Sequence, residues 1–136
     1  MPKLYQTDIA AGRNLPRESD RAGTVVTHRT SFTFPLAASA GDMVELLVLP
    51  PRHVLVGLRY AEAGAVTEGK IGLMAGEVGD TTLANRAIAT NLVTAGREND
   101  AALAVTATET ARAIGVEITS ADPGATLTLM AAYTQG

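Results

Sequence analysis

The sequence predicts an all-β protein: an antiparallel jelly roll or β-sandwich of about eight strands, with an extended N-terminal arm in front of it. Three observations predict it. From Thr24 onward the hydrophobic period is close to two. Short turns rich in Gly, Pro and Asp separate the apolar runs. No long helical pattern alternates with the strands, and no fixed repeat period marks a solenoid or propeller.

The elements follow in chain order. Residues 1–23 read as the arm, either a frayed terminus or a segment that orders on a partner, because "AAGRNLPRESDRAG" is small, polar and charged around Pro16 and buries too little apolar area to order itself. Within it only "KLYQTDIA" has strand potential. Residues 24–136 form the sandwich. In "TVVTHRTSFTF" one face collects Val26, His28, Thr30, Phe32 and Phe34, and the other Val25, Thr27, Arg29, Ser31 and Thr33, the pattern of a half-buried antiparallel strand. After the turn "AASAGD" come two core strands, the almost wholly apolar residues 43–49 and the run Val54 to Tyr60. Pro50 and Pro51 lack the N–H that a ladder needs, so they end the first of these and turn the chain.

Softer signals fill the second half. "KIGLMA" at 70–75 reads as a short strand and "ALAVTAT" at 102–108 as another. "ARAIGVEITS" puts Ile114, Val116 and Ile118 on one face, and "TLTLMAAYT" does the same for Leu127, Leu129, Ala131 and Tyr133 after an Asp-Pro-Gly turn. Residues 81–96 fit a helical face with Asp80 as N-cap, yet "AIATNLVT" also alternates, and strand is the preferred reading. The abundance of Ala, Gly and Thr predicts a thin core and flat outer faces suited to docking on other proteins.

Composition restricts function. The 136 residues suit one domain, and without cysteine there is neither a disulfide framework nor a thiolate metal site. A net charge of −3 and 4% aromatic residues give no basis for nucleic-acid binding. No apolar run is long enough for a membrane span or a signal peptide, so a soluble protein is expected.

Chemical motifs dissolve on inspection. Gly64 to Ile71, "GAVTEGKI", has phosphate-loop spacing, but Ile71 stands where Ser or Thr belongs and strand rather than helix follows, so a hairpin loop is the better reading. His28 and His53 read as a partly buried strand histidine and a surface turn histidine, too few for zinc. The serines at 19, 31, 39 and 120 show no nucleophile-elbow pattern, and "RENDA" at 97–101 reads as a solvated loop. The expectation is a protein that is not an enzyme and holds no cofactor or metal.

The succession "SFTFPLAASAGDMVELLVLPPRHVLVGLRYAEAG", then "GKIGLMAGEVGD", then "GVEITSADPGATLTLMAAYT" resembles small virion proteins of tailed bacteriophages, and more specifically the jelly-roll cement, or decoration, protein of a short-tailed phage head. The resemblance rests on pattern and size over most of residues 24–134. It implies a structural protein made in the host cytoplasm that binds the outer surface of an HK97-fold capsid and reinforces the joints between major capsid proteins. The alternatives are a neck, tail or fibre-associated virion sandwich and, against the absence of Trp, a ligand-binding jelly roll. On the cement reading the arm docks: Arg13, Arg17 and Arg21 pair with capsid carboxylates, Lys3 lies close to the possible pairing strand "LYQTDIA", and Leu4 and Ile9 belong to that strand, which adds to a neighbour's sheet edge. Flat faces and modest charge further predict a homo-oligomer, a dimer before a trimer.

Overall fold

The computed structural model describes residues 2–7, 25–93 and 103–136, and within them the predicted all-β sandwich forms. Seven strands make two sheets. They are β1 (Leu4–Gln6), β2 (Val26–Thr33), β3 (Met43–Leu49), β4 (His53–Ala63), β5 (Val66–Leu73), β6 (Arg112–Ala121) and β7 (Thr126–Gln135). One sheet has the order β1-β3-β6-β5, the other β2-β7-β4. Every pairing is antiparallel except that of β1 with β3, which is parallel.

The inward faces are those the alternation marks. Leu127, Leu129, Ala131 and Tyr133 of β7 are buried against Val44, Leu47, Ile114, Val116 and Ile118 of the facing sheet. Phe34 is 1% exposed and meets Phe32 and Tyr5 in a ring cluster with centroids 5.1 to 5.7 Å apart. Such tilted and edge-on contacts match the quadrupoles of the rings. Tyr5 comes from β1 and Phe32 from β2, so the cluster ties the two sheets at one margin.

The tight connections do not make hairpins. β2 to β3, β3 to β4, β4 to β5 and β6 to β7 each pass from one sheet to the other. Gly64 and Ala65 are therefore a corner between sheets, where the sequence suggested a hairpin loop. The Asp-Pro-Gly turn is a second corner, with the Gly124 N–H donating to the Phe34 carbonyl at 2.8 Å. At the proline pair the chain turns with Arg52 at φ 61°.

Three local expectations are corrected. Residues 81–93 form neither strand nor helix, but a 3-10 turn at Leu83–Asn85 and an isolated bridge from Ile88 to Met74; residues 94–96 lie outside the described set. Residues 103–108 form no strand, and there Val105 alone is buried. The short strand expected at 70–75 begins earlier, at Val66. In both non-strand segments the alternating apolar residues plug the body one at a time, so the backbone gains no ladder.

Residues 74–93 cover the outer face of the four-stranded sheet. Met74 and Ile88 pack there on Met43 and Ala113, with Leu4, Val78 and Leu83 around them. Glycine allows this close approach. Gly72 and Gly115 are register partners in β5 and β6, and a Cβ would stand 2.2 Å from the Thr90 carbonyl oxygen at Gly72 and 2.4 Å from the Met74 sulfur at Gly115. Beside them Glu45, opposite Gly115 on β3, is fully buried with Arg86 of the covering segment. The Arg86 Nη2 donates to Glu45 Oε2, its Nε to the Ala75 carbonyl at 2.8 Å and its Nη1 to the Asp80 carbonyl at 3.1 Å. Gln6 donates to the other carboxylate oxygen at 2.8 Å. β3 is thus buried along both faces, which is why its sequence is apolar without alternation.

Candidate docking surface

Of the residues singled out for docking, Lys3 and Leu4 are described, while Ile9, Arg13, Arg17 and Arg21 lie outside the described residues, as does the expected boundary between residues 23 and 24. Residues 4–6 do form a strand, but it pairs with β3 of the same chain, Leu4 opposite Met43. The Lys3 N–H donates to Asp42 Oδ1 at 2.8 Å and its carbonyl accepts from Met43 N–H at 2.9 Å. Leu4 packs on the outer cluster beside Met43. The "RENDA" segment is also outside the described set.

With one outer face covered by residues 74–93, the outer sheet face that no described residue covers is that of β2, β7 and β4. Register sets its rows. Thr27, Ala132 and Gly57 lie abreast, then Arg29, Met130 and Arg59, then Ser31, Thr128 and Ala61, then Thr33, Thr126 and Ala63. Hydroxyls bridge the strands at 3.2 Å in two of these rows, Ser31 with Thr128 and Thr33 with Thr126. Small side chains keep the face flat. Towards its Val25 end it gains Val25, 49% exposed, and Val56, 42% exposed at the β4 bulge. The four rows hold two arginines and no carboxylate.

The sequence shows half of this surface. Arg29 stands on the polar side of the β2 alternation, but the position of Arg59 across Met130 depends on both strands flanking β7, a pairing that no local pattern encodes.

Elsewhere, described polar side chains pair within the fold. His53 is buried, not at the surface as its turn position suggested: its Nδ1–H donates to the Pro51 carbonyl at 2.8 Å and its ring stands edge-on to Tyr133. His28 lies half-buried in β2. Among the described residues no three His, Asp or Glu side chains gather as a metal site. Where β4 turns into β5, the buried Tyr60 hydroxyl donates to Glu62 at 2.9 Å, with the Glu68 carboxyl nearby. Burial and the Glu68 carboxyl push Glu62 up to about 7 against the opposing bond from Tyr60.

No family model matches the chain, and no curated protein does. Solved structures do. A chain in the capsid of Ralstonia phage GP4 superposes with a TM-score of 0.80 at 30% identity, over 98% of this chain and 98% of that one. A chain of the cyanophage Pam1 capsid asymmetric unit aligns over 90% and 92% at 17% identity, with a TM-score of 0.49. The match to the GP4 capsid runs through the whole sandwich, at an identity that marks common descent as well as shared architecture, and the chain accordingly belongs to the family of that phage capsid protein: it is a virion structural protein.

Proposed function

We propose that the protein binds the outer surface of an HK97-fold phage capsid and cements joints between major capsid proteins. The observation that carries this reading is the near-complete match to a chain of the GP4 capsid. The fold supports it physically. A sandwich with one outer sheet face sealed and the other flat and open offers rigid area on one side, as a clamp needs. A clamp that binds only the assembled lattice stabilises it by mass action, repeated at every equivalent site. A homodimer would give each clamp two points of attachment. The role requires no catalysis.

The test is stoichiometry and placement on purified virions. Cementing predicts a copy number comparable with that of the major capsid protein, labelling of the protein on intact particles by a membrane-impermeant amine reagent, and lower heat resistance of particles stripped of it. A copy number of only a ring at one vertex assigns the protein to the neck or tail instead.

A further inference from the structure

We propose that the cavity at the margin of the four-stranded sheet, where β5 ends and β6 begins, binds a single carboxylate carried on a short apolar body, and that Arg112 holds the carboxylate. Such a site goes beyond capsid binding and does not depend on it.

Two segments that form no strand build the cavity. Ala89 and Leu92 of the covering segment and Ala104 and Val105 beyond it line a space of about 430 Å³, with Arg112, the first residue of β6, in its wall. Pockets for small ligands span about 300–1,000 Å³ and are mostly apolar, with a few placed polar groups. This one fits that description. Leu92 and Val105 are buried and Ala89 and Ala104 exposed, so an apolar floor lies beneath a rim that reaches solvent. Arg112 is the one charged residue among the described lining.

The guanidinium is held in place but incompletely satisfied. Its Nη2 donates to the Thr106 carbonyl at 2.7 Å and to the His53 carbonyl at 3.3 Å, which fixes the side chain between the loop and the start of β4. Its Nε–H is buried and has no acceptor. Burial pushes the Arg112 pKa down, with no carboxylate among the described residues to oppose the shift. An arginine nevertheless keeps its proton, so a charge stands half-buried without a counter-charge. Such a cation at a cavity wall is the mark of a ligand site more than of a support.

Charge and wall chemistry select the ligand. One cation balances one negative charge, and a carboxylate oxygen supplies the acceptor that Nε–H lacks. A phosphate dianion would bring a second charge against apolar walls that cannot solvate it. A neutral apolar molecule would fill the floor and leave the buried donor unsatisfied. A carboxylate on a short aliphatic chain satisfies both ends, with its chain on Leu92 and Val105 and its head at Arg112.

The experiment titrates the full chain with hexanoate, with hexanol and with inorganic phosphate, and follows the methyl resonances of Ala89, Leu92, Ala104 and Val105, with Leu127 of the main core as reference. Hexanoate should move the four cavity residues saturably and leave Leu127 in place. Hexanol should bind at least about tenfold more weakly, since it lacks the charge that meets Arg112, and phosphate should move nothing. In Arg112→Gln the preference for hexanoate over hexanol should vanish. The three titrations of the unaltered chain decide even if that variant unfolds. If hexanoate moves no cavity methyl, if hexanol binds as tightly, or if phosphate moves the same methyls, the proposal is overturned. A second arm identifies the source of the carboxylate. Co-sedimentation of the chain with capsids stripped of it is measured with and without excess hexanoate: release by hexanoate assigns the carboxylate to a side chain or chain end of a capsid subunit, and unchanged sedimentation assigns it to a free small molecule. If the chain does not sediment at all, the capsid-binding reading fails and the titrations still decide the site.

Discussion

Replacing Arg86 by Ala should be among the most destabilising single changes in this protein. The Arg86 and Glu45 side chains are both 0% exposed. Without the guanidinium, the Glu45 carboxylate stays under the covering segment with only N–H donors from Gln6 and Gly79, at 2.8 and 3.3 Å. The Ala75 and Asp80 carbonyls lose their donors as well. Breaking a buried pair by removing one partner costs about 3–5 kcal/mol. Small domains are stable by about 5–15 kcal/mol in total, so the urea midpoint should fall by roughly a fifth or more. The double variant Glu45→Leu/Arg86→Met removes both charges and fills the space with apolar volume, and it should recover most of the loss, because the desolvation of two charges disappears with them. Urea unfolding followed by circular dichroism, on the single and double variants, measures both quantities. If Arg86→Ala costs less than about 1 kcal/mol, or if the double variant is no better than the single, the pair does not hold the covering segment and the reasoning fails.

Four further outcomes follow. Phe34→Ala should cost about 3–5 kcal/mol by leaving a cavity in the ring cluster, and Phe32→Ala less because Phe32 is half-exposed, both read from thermal melts. Gly115→Ala should destabilise by about 1–3 kcal/mol and raise hydrogen exchange in residues 74–93, since its Cβ must displace Met74 or β3. Glu62 is near 7 in the folded protein against its ordinary 4.5, so the folded state binds more protons between those values; stability should decline as pH rises from about 4.5 to about 7 and level off above, with a shallow slope because the group is half-exposed, and Glu62→Gln should flatten it. Deleting residues 1–7 should lower stability by at least about 2 kcal/mol through loss of Tyr5 and of the β1 pairing, which guanidinium titration detects; an unchanged midpoint would show that β1 adds nothing.

The strands that alternate were legible. β2 and β7 each bury one face, β6 is covered on both over Ala113–Val116, and the inward sets of all three could be named from spacing alone. Those that serve two environments were not. Glu45 sits in the middle of an apolar strand and gives no sign of a partner at Arg86, which arrives from 41 residues away in sequence. Residues 81–93 carry Ile88 and Leu92 at a spacing that fits helix and strand alike, but Ile88 goes to the outer cluster with Met74, and Leu92 joins the main core with its neighbour Val93. Three residues of β1 are too short for any period, and their partner is fixed by the Asp42 turn instead of by their own pattern. The candidate surface shared this limit: one arginine lay in a readable alternation, and its counterpart depended on sheet order.

Sheet order also has a consequence for the timing of synthesis. β6 is flanked by β3 and β5, and β7 by β2 and β4, so residues 112–136 supply an interior strand to both sheets. Until those residues leave the ribosome, β2 and β4 have no partner between them, and β3 and β5 have no bridge. The two sheets therefore cannot settle in stages from β1; they stay open until β6 and β7 have emerged and then close together, through contacts of long sequence separation that make folding slow. A chain that stops before Arg112 would lack both interior strands and could close neither sheet.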